Sequence, residues 1–109
     1  MVGALINDGS APEYTCINVV GWINTSNNPI LQVFWTTVEN KIVQIEFNSG
    51  WGTTSIVTAG LRPGTRFGVA QLASGTQRRL YMQSSDDSII ELRDDGSGWY
   101  RGAVVAAAH

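Results

Sequence analysis

The sequence predicts an all-β chain made of two four-stranded units. The first observation is internal repetition. Gln32-Val33-Phe34 recurs as Arg79-Leu80-Tyr81, and Ile42-Val43-Gln44-Ile45 recurs as Ile89-Ile90-Glu91-Leu92, both at an offset of 47. Ser49-Gly50-Trp51 recurs as Ser97-Gly98-Trp99 at 48, so the second unit carries one extra turn residue. Residues 16–22 align more loosely with 66–72. The second observation is composition: short runs rich in Val, Ile, Thr, Tyr, Phe and Trp alternate with turn-forming clusters. The third is that no segment holds a 3.6-residue apolar period between breakers. A repeat of this length, with four strands per repeat, is the size of a β-propeller blade.

Taken in order, the first unit predicts strands near residues 16–22, 30–37, 41–47 and 50–58. The breaks between them hold Asn24 to Pro29 and Val38-Glu39-Asn40, whose Asn, Ser and Pro residues favour turns. The second unit predicts strands near 65–72, 77–84, 88–94 and 98–105, broken by Ser84 to Asp87 and by Asp94-Asp95-Gly96-Ser97-Gly98. Pro63-Gly64 joins the units. The chain therefore divides into an N-terminal extension (1–14), a first blade (15–62) and a second blade with a short tail (63–109). The Ala-rich stretch at 106–108 is too short to nucleate a helix. A two-sheet sandwich also uses about eight strands, but it does not account for the repeat.

Two blades cannot close a ring, because their outer faces stay apolar and their edges open. Propellers use four to eight blades, so two, three or four chains would satisfy the arithmetic.

Composition narrows the function. The 109 residues are 43% hydrophobic and 15% charged, with a net charge of −2, so no basic footprint argues for nucleic acid. No run reaches the length of a membrane-spanning helix, and the start lacks the basic, apolar pattern of a signal peptide. These features leave the location unknown and compatible with secretion or the cell surface. Asn24-Thr25-Ser26 fits a glycosylation sequon, relevant only in a secreted protein. The lone Cys16 excludes an internal disulfide and reads as a buried strand residue.

Little here suggests catalysis, a metal or a cofactor, and none of the three is expected. The one histidine, His109, ends the chain. Asp94-Asp95-Gly96-Ser97-Gly98 lacks the ligand spacing of a calcium loop and reads as a hairpin turn. A glycosidase needs two carboxylates flanking the scissile bond. Glu91 with Glu46 or Asp94 could supply them, but nothing in the sequence fixes their separation. More informative is the pair Arg79 and Glu91, which face each other if strands two and three of the second unit form a hairpin centred near Ser85. The pair could be a cross-strand salt bridge of little net value. It could also be a sugar clamp, with Arg donating to a ring oxygen or hydroxyl and Glu accepting from hydroxyls. Trp51 and Trp99 hold equivalent places and could stack on sugar C–H faces or fill an inter-blade core. Trp22 and Trp35 have no counterpart and read as core.

Three segments together carry a resemblance: Arg79-Leu80-Tyr81-Met82-Gln83, Ile89-Ile90-Glu91, and Asp95-Gly96-Ser97-Gly98-Trp99-Tyr100-Arg101-Gly102. In order and spacing the chain resembles the fungal fucose-specific lectin family and its short bacterial relatives with two blades per chain. The resemblance covers about residues 15–105, closely in the second unit and loosely in the first. It implies a six-bladed propeller formed by a homotrimer, with L-fucose or fucosylated glycans as partners. It implies that Arg79 and Glu91 hold the sugar while Phe47 and Trp51 of the next subunit stack on it. Trp99 would serve the site within the chain, where Gln32 and Gln44 replace the expected Arg and Glu, so that site is expected to be degenerate. A propeller used as a non-catalytic interaction or structural module is the alternative.

Overall fold

A computed structural model describes residues 16–72, 77–84 and 86–106. Eight strands form two antiparallel sheets in simple meander order. The first holds β1 (Ile17–Ile23), β2 (Pro29–Thr36), β3 (Ile42–Asn48) and β4 (Ser55–Thr58). The second holds β5 (Phe67–Leu72), β6 (Gln77–Gln83), β7 (Ile89–Asp94) and β8 (Trp99–Ala106). The fold is thus two four-stranded propeller blades, as the repeat implied.

The blades pack face to face. One face of the first sheet (Val20, Phe34, Ile42) meets one face of the second (Phe67, Leu80, Met82, Ile90, Leu92) in a single buried cluster. Phe34, Ile42 and Leu80 are fully enclosed. Side chains alternate across a strand, so the residues between these point to the outer faces. Polar ties cross the same junction. Asn18 Nδ2 donates to the Phe67 carbonyl at 2.8 Å beside the central strands, and Trp99 Nε1 donates to Gln44 Oε1 at 2.9 Å.

The outer faces differ in kind. That of the first blade is apolar. Trp35, Val43 and Ile45 form a second buried cluster there, while Ile17, Val19, Ile23, Leu31 and Ile56 stay exposed. The outer face of the second blade carries Arg79, Tyr81, Glu91, Arg93 and Tyr100. The pattern is cyclic: an offset of 47 maps the inner face of the first blade onto the outer face of the second. The β2–β3 pairs Gln32↔Glu46 and Phe34↔Gln44 become the β6–β7 pairs Arg79↔Arg93 and Tyr81↔Glu91.

Three expectations are corrected. The last strand of the first blade begins at Ser55, not near 50. Trp51 makes only an isolated bridge to Phe47, because the chain turns at Ser49 and Gly50, both at positive φ, and the Gly52 amide donates to the Glu46 carbonyl. Cys16 lies one residue before β1 and is only half-buried, its amide donating to Thr36 Oγ1. Arg79 and Glu91 share a face but are not opposite each other; Arg79 faces Arg93, and Glu91 faces Tyr81. The hairpin is centred one residue later than expected. The Ser84 amide donates to the Ser88 carbonyl and the Asp87 amide to the Ser84 carbonyl, with Asp87 left-handed at φ 70°. Moving the centre by one residue moves the pairing by two.

Candidate functional site

The outer face of the second blade is a connected polar surface built on three adjacent strands. From β6, Arg79 sends its NH1 to the Arg78 carbonyl at 2.8 Å and to Asp95 Oδ1 at 3.1 Å. These contacts leave Arg79 only 8% exposed, so it does not face open solvent as a bare clamp residue would. Tyr100 OH donates to the other oxygen of Asp95 at 2.5 Å. Asp95 thus fixes the guanidinium from one side and the phenol from the other. The Tyr100 hydrogen bond is the main reason the Asp95 carboxyl lies below its ordinary range.

One step along the same face, Tyr81 OH donates to Glu91 Oε2 at 3.0 Å, and Arg93 Nε lies 3.5 Å from Glu91 Oε1. That hydrogen bond raises the Tyr81 phenol above its usual value. Gly102 on β8 leaves the space Glu91 and Arg93 occupy. A Cβ there would meet Glu91 Oε1 at 2.5 Å and Arg93 Cδ at 2.7 Å. The face therefore presents two guanidiniums and two carboxylates, Asp95 and Glu91, held side by side and flanked by two phenols. Such a set suits a compact polyol, with forked donors, an anionic acceptor and aromatic edges.

Phe47 and Trp51 lie elsewhere, at the apolar outer face of the first blade. Their rings meet edge-on, centroids 5.3 Å apart, and Trp51 is 37% exposed. The chain does not bring them to Arg79 and Glu91; they occupy opposite flanks of the two-blade unit.

Trp99, Gln32 and Gln44 meet at the junction between the blades. Trp99 packs edge-on against Phe34, centroids 5.9 Å apart. An indole N–H can only donate, so its bond fixes Gln44 with the amide oxygen toward Trp99. Gln32 is 2% exposed and donates from Nε2 to Glu46 Oε1 at 2.9 Å. Across this junction Arg78 is paired with Asp94 at 2.6 Å and lies 6.0 Å above the Trp22 ring. Burial pushes the Asp94 carboxyl upward, but hydrogen bonds from Arg78, Gly96 and Gly98 outweigh it and hold the carboxyl low. The Asp94–Gly98 segment is the β7–β8 turn, with Asp94 Oδ1 accepting from the Gly96 amide at 2.8 Å. Beside β3 a polar cleft of about 530 Å³ opens, with Glu46, Gln44 and Asn48 on its wall.

The sequence reading missed Arg93, Asp95 and Tyr100 as site residues and weighed Glu46 only as one carboxylate of a glycosidase pair. Arg93 and Glu46 follow from the register once the turn is placed. Asp95 and Tyr100 lie inside the motif that carried the resemblance.

No protein-family model and no curated protein matches the chain. Solved structures do. The Aleuria aurantia lectin, in complex with alpha-methyl-L-fucoside, aligns with TM-score 0.76 at 19% identity over 90% of this chain and 34% of that one. A triple arginine-to-alanine mutant of AofleA from Arthrobotrys oligospora aligns at 0.74 and 17% identity, over 93% and 30%. A fucose lectin from Kordia zhangzhouensis, in complex with methyl-fucoside, aligns at 0.61 and 24% identity, over 93% and 71%. The chain thus has the blade fold of these proteins and spans about a third of the first two.

Proposed function

We propose that the chain is a non-catalytic carbohydrate-binding lectin that recognises L-fucose and fucosylated glycans between blades of neighbouring subunits. The observation that carries the reading is the cyclic arrangement of the faces. Within the chain, Trp99 packs on Phe34 and bonds Gln44. The same repeat offset relates Phe34 to Tyr81 and Gln44 to Glu91, and Trp99 corresponds to Trp51. Repeating the junction between chains would carry Trp51 and Phe47 of one copy over Tyr81 and Glu91 of the next. Arg79 and Glu91 would then bind sugar hydroxyls and the ring oxygen, with the two aromatics as the opposite wall. Three chains would close six blades as a homotrimer, covering the exposed apolar face of each first blade. The fucoside ligands of the Aleuria aurantia and Kordia zhangzhouensis structures support the choice of sugar.

The test is Arg79→Ala, examined by fucose calorimetry and by sedimentation. The reading expects fucose binding to disappear while the assembly keeps its size. Retained fucose affinity would leave Arg79 a structural residue and remove it from the site.

A further inference from the structure

We propose that the polar cleft on the first blade is a second glycan site, which takes a hexosamine bearing a free ammonium group. Four residues on the face of the proposed fucose clamp, Arg79, Tyr81, Glu91 and Arg93, correspond at the repeat offset to Gln32, Phe34, Gln44 and Glu46. Two guanidiniums and one carboxylate have become one carboxylate and no cation. With Asp95 counted, the second-blade face is balanced, whereas its first-blade counterpart, where Asn48 stands at the place of Asp95, is left with the negative charge of Glu46. The polar atoms are nevertheless kept and organised. Because a carboxylate only accepts, Glu46 fixes the orientation of Gln32, just as Trp99 fixes Gln44. Gln32 keeps a buried Oε1 with no hydrogen-bond partner among the described residues.

Glu46 and Gln44 form one wall of the cleft of about 530 Å³, and Asn48, Trp51, Thr53 and Ser55 complete it. That volume lies within the range of about 300–1,000 Å³ that small-molecule sites occupy. Its lining offers a carboxylate for an ammonium, and amides and hydroxyls for sugar hydroxyls. Arg78, across the junction, is paired with Asp94 at 2.6 Å. A neutral sugar would use only the amides and hydroxyls. An acidic sugar would be repelled.

The ammonium site rests on Glu46 and uses neither Arg79 nor Glu91, and the experiment keeps the two readings apart. D-glucosamine and N-acetyl-D-glucosamine are titrated at pH 6 into the wild-type protein, into Arg79→Ala and into Glu46→Gln. Glucosamine is expected to bind saturably to the wild type and to Arg79→Ala alike. N-acetylglucosamine is expected to bind at least about tenfold more weakly, as is glucosamine to Glu46→Gln, since each change removes one charge-assisted hydrogen bond. Added salt is expected to weaken glucosamine but not the acetylated sugar. Absence of glucosamine binding at 50 mM would overturn the proposal. So would equal affinity for the two sugars, loss of glucosamine binding in Arg79→Ala, or displacement by n-butylamine as effective as by glucosamine itself. The comparison of the two sugars on the wild type decides the matter even if Glu46→Gln fails to fold.

Discussion

Glu91→Gln separates a sugar clamp from a structural salt bridge. In the free chain Glu91 accepts from Tyr81 OH at 3.0 Å and lies 3.5 Å from Arg93 Nε. The amide oxygen of Gln can still accept the phenol, so only the charge is lost. The contact to Arg93, whose side chain is 40% exposed, is a surface pair worth about 0–1 kcal/mol. Folding stability should therefore move little. Binding should move more. A hydrogen bond from a sugar hydroxyl to a charged acceptor is worth about 1.5–3 kcal/mol, against about 0.5–1.5 for a neutral one. A loss of about 1–2 kcal/mol weakens fucose roughly five- to thirtyfold. Calorimetry with L-fucose reads the affinity, and thermal unfolding at fixed protein concentration reads the stability. Unchanged affinity would refute the clamp. A large drop in melting temperature would show that Glu91 serves the fold instead.

Trp51→Ala should weaken fucose binding by removing the larger stacking surface and should also loosen the ring; sedimentation at falling protein concentration reads the second effect. Gly102→Ala places a methyl against Glu91 and Arg93, and should lower fucose affinity several-fold with the assembly retained, as calorimetry would show. The Tyr81 phenol, raised by its bond to Glu91, holds its proton longer when folded. Its contribution to stability is complete below the ordinary tyrosine value of about 10 and is lost as pH rises through the higher folded value. Phenolate absorbance of the wild type compared with Tyr81→Phe would reveal the late-titrating group.

Much of the fold was legible because the repeat marks the same strands twice. Apolar runs such as Ile42 to Ile45 and Ile89 to Leu92 became β3 and β7, and turn residues fell between strands. Register was less legible. Ser84 to Ser88 contains no Gly to mark the left-handed position, and Asp87 takes it at φ 70°. The resulting two-residue slip set Arg79 opposite Glu91 instead of opposite Arg93. The burial of Arg79 was hidden for another reason. Asp95, just past the end of β7, reads in the sequence as a hairpin-turn residue, yet its carboxylate reaches the guanidinium. Alternation did place the side chains correctly by face, which is why Arg79 and Glu91 still share one surface.

The most direct test of the central claim is titration of L-fucose into the purified protein, with stoichiometry expressed per chain. The account predicts saturable binding near one site per chain, because only the face with Arg79 and Glu91 carries the clamp. Two equal sites per chain, or no heat at millimolar fucose, would contradict it.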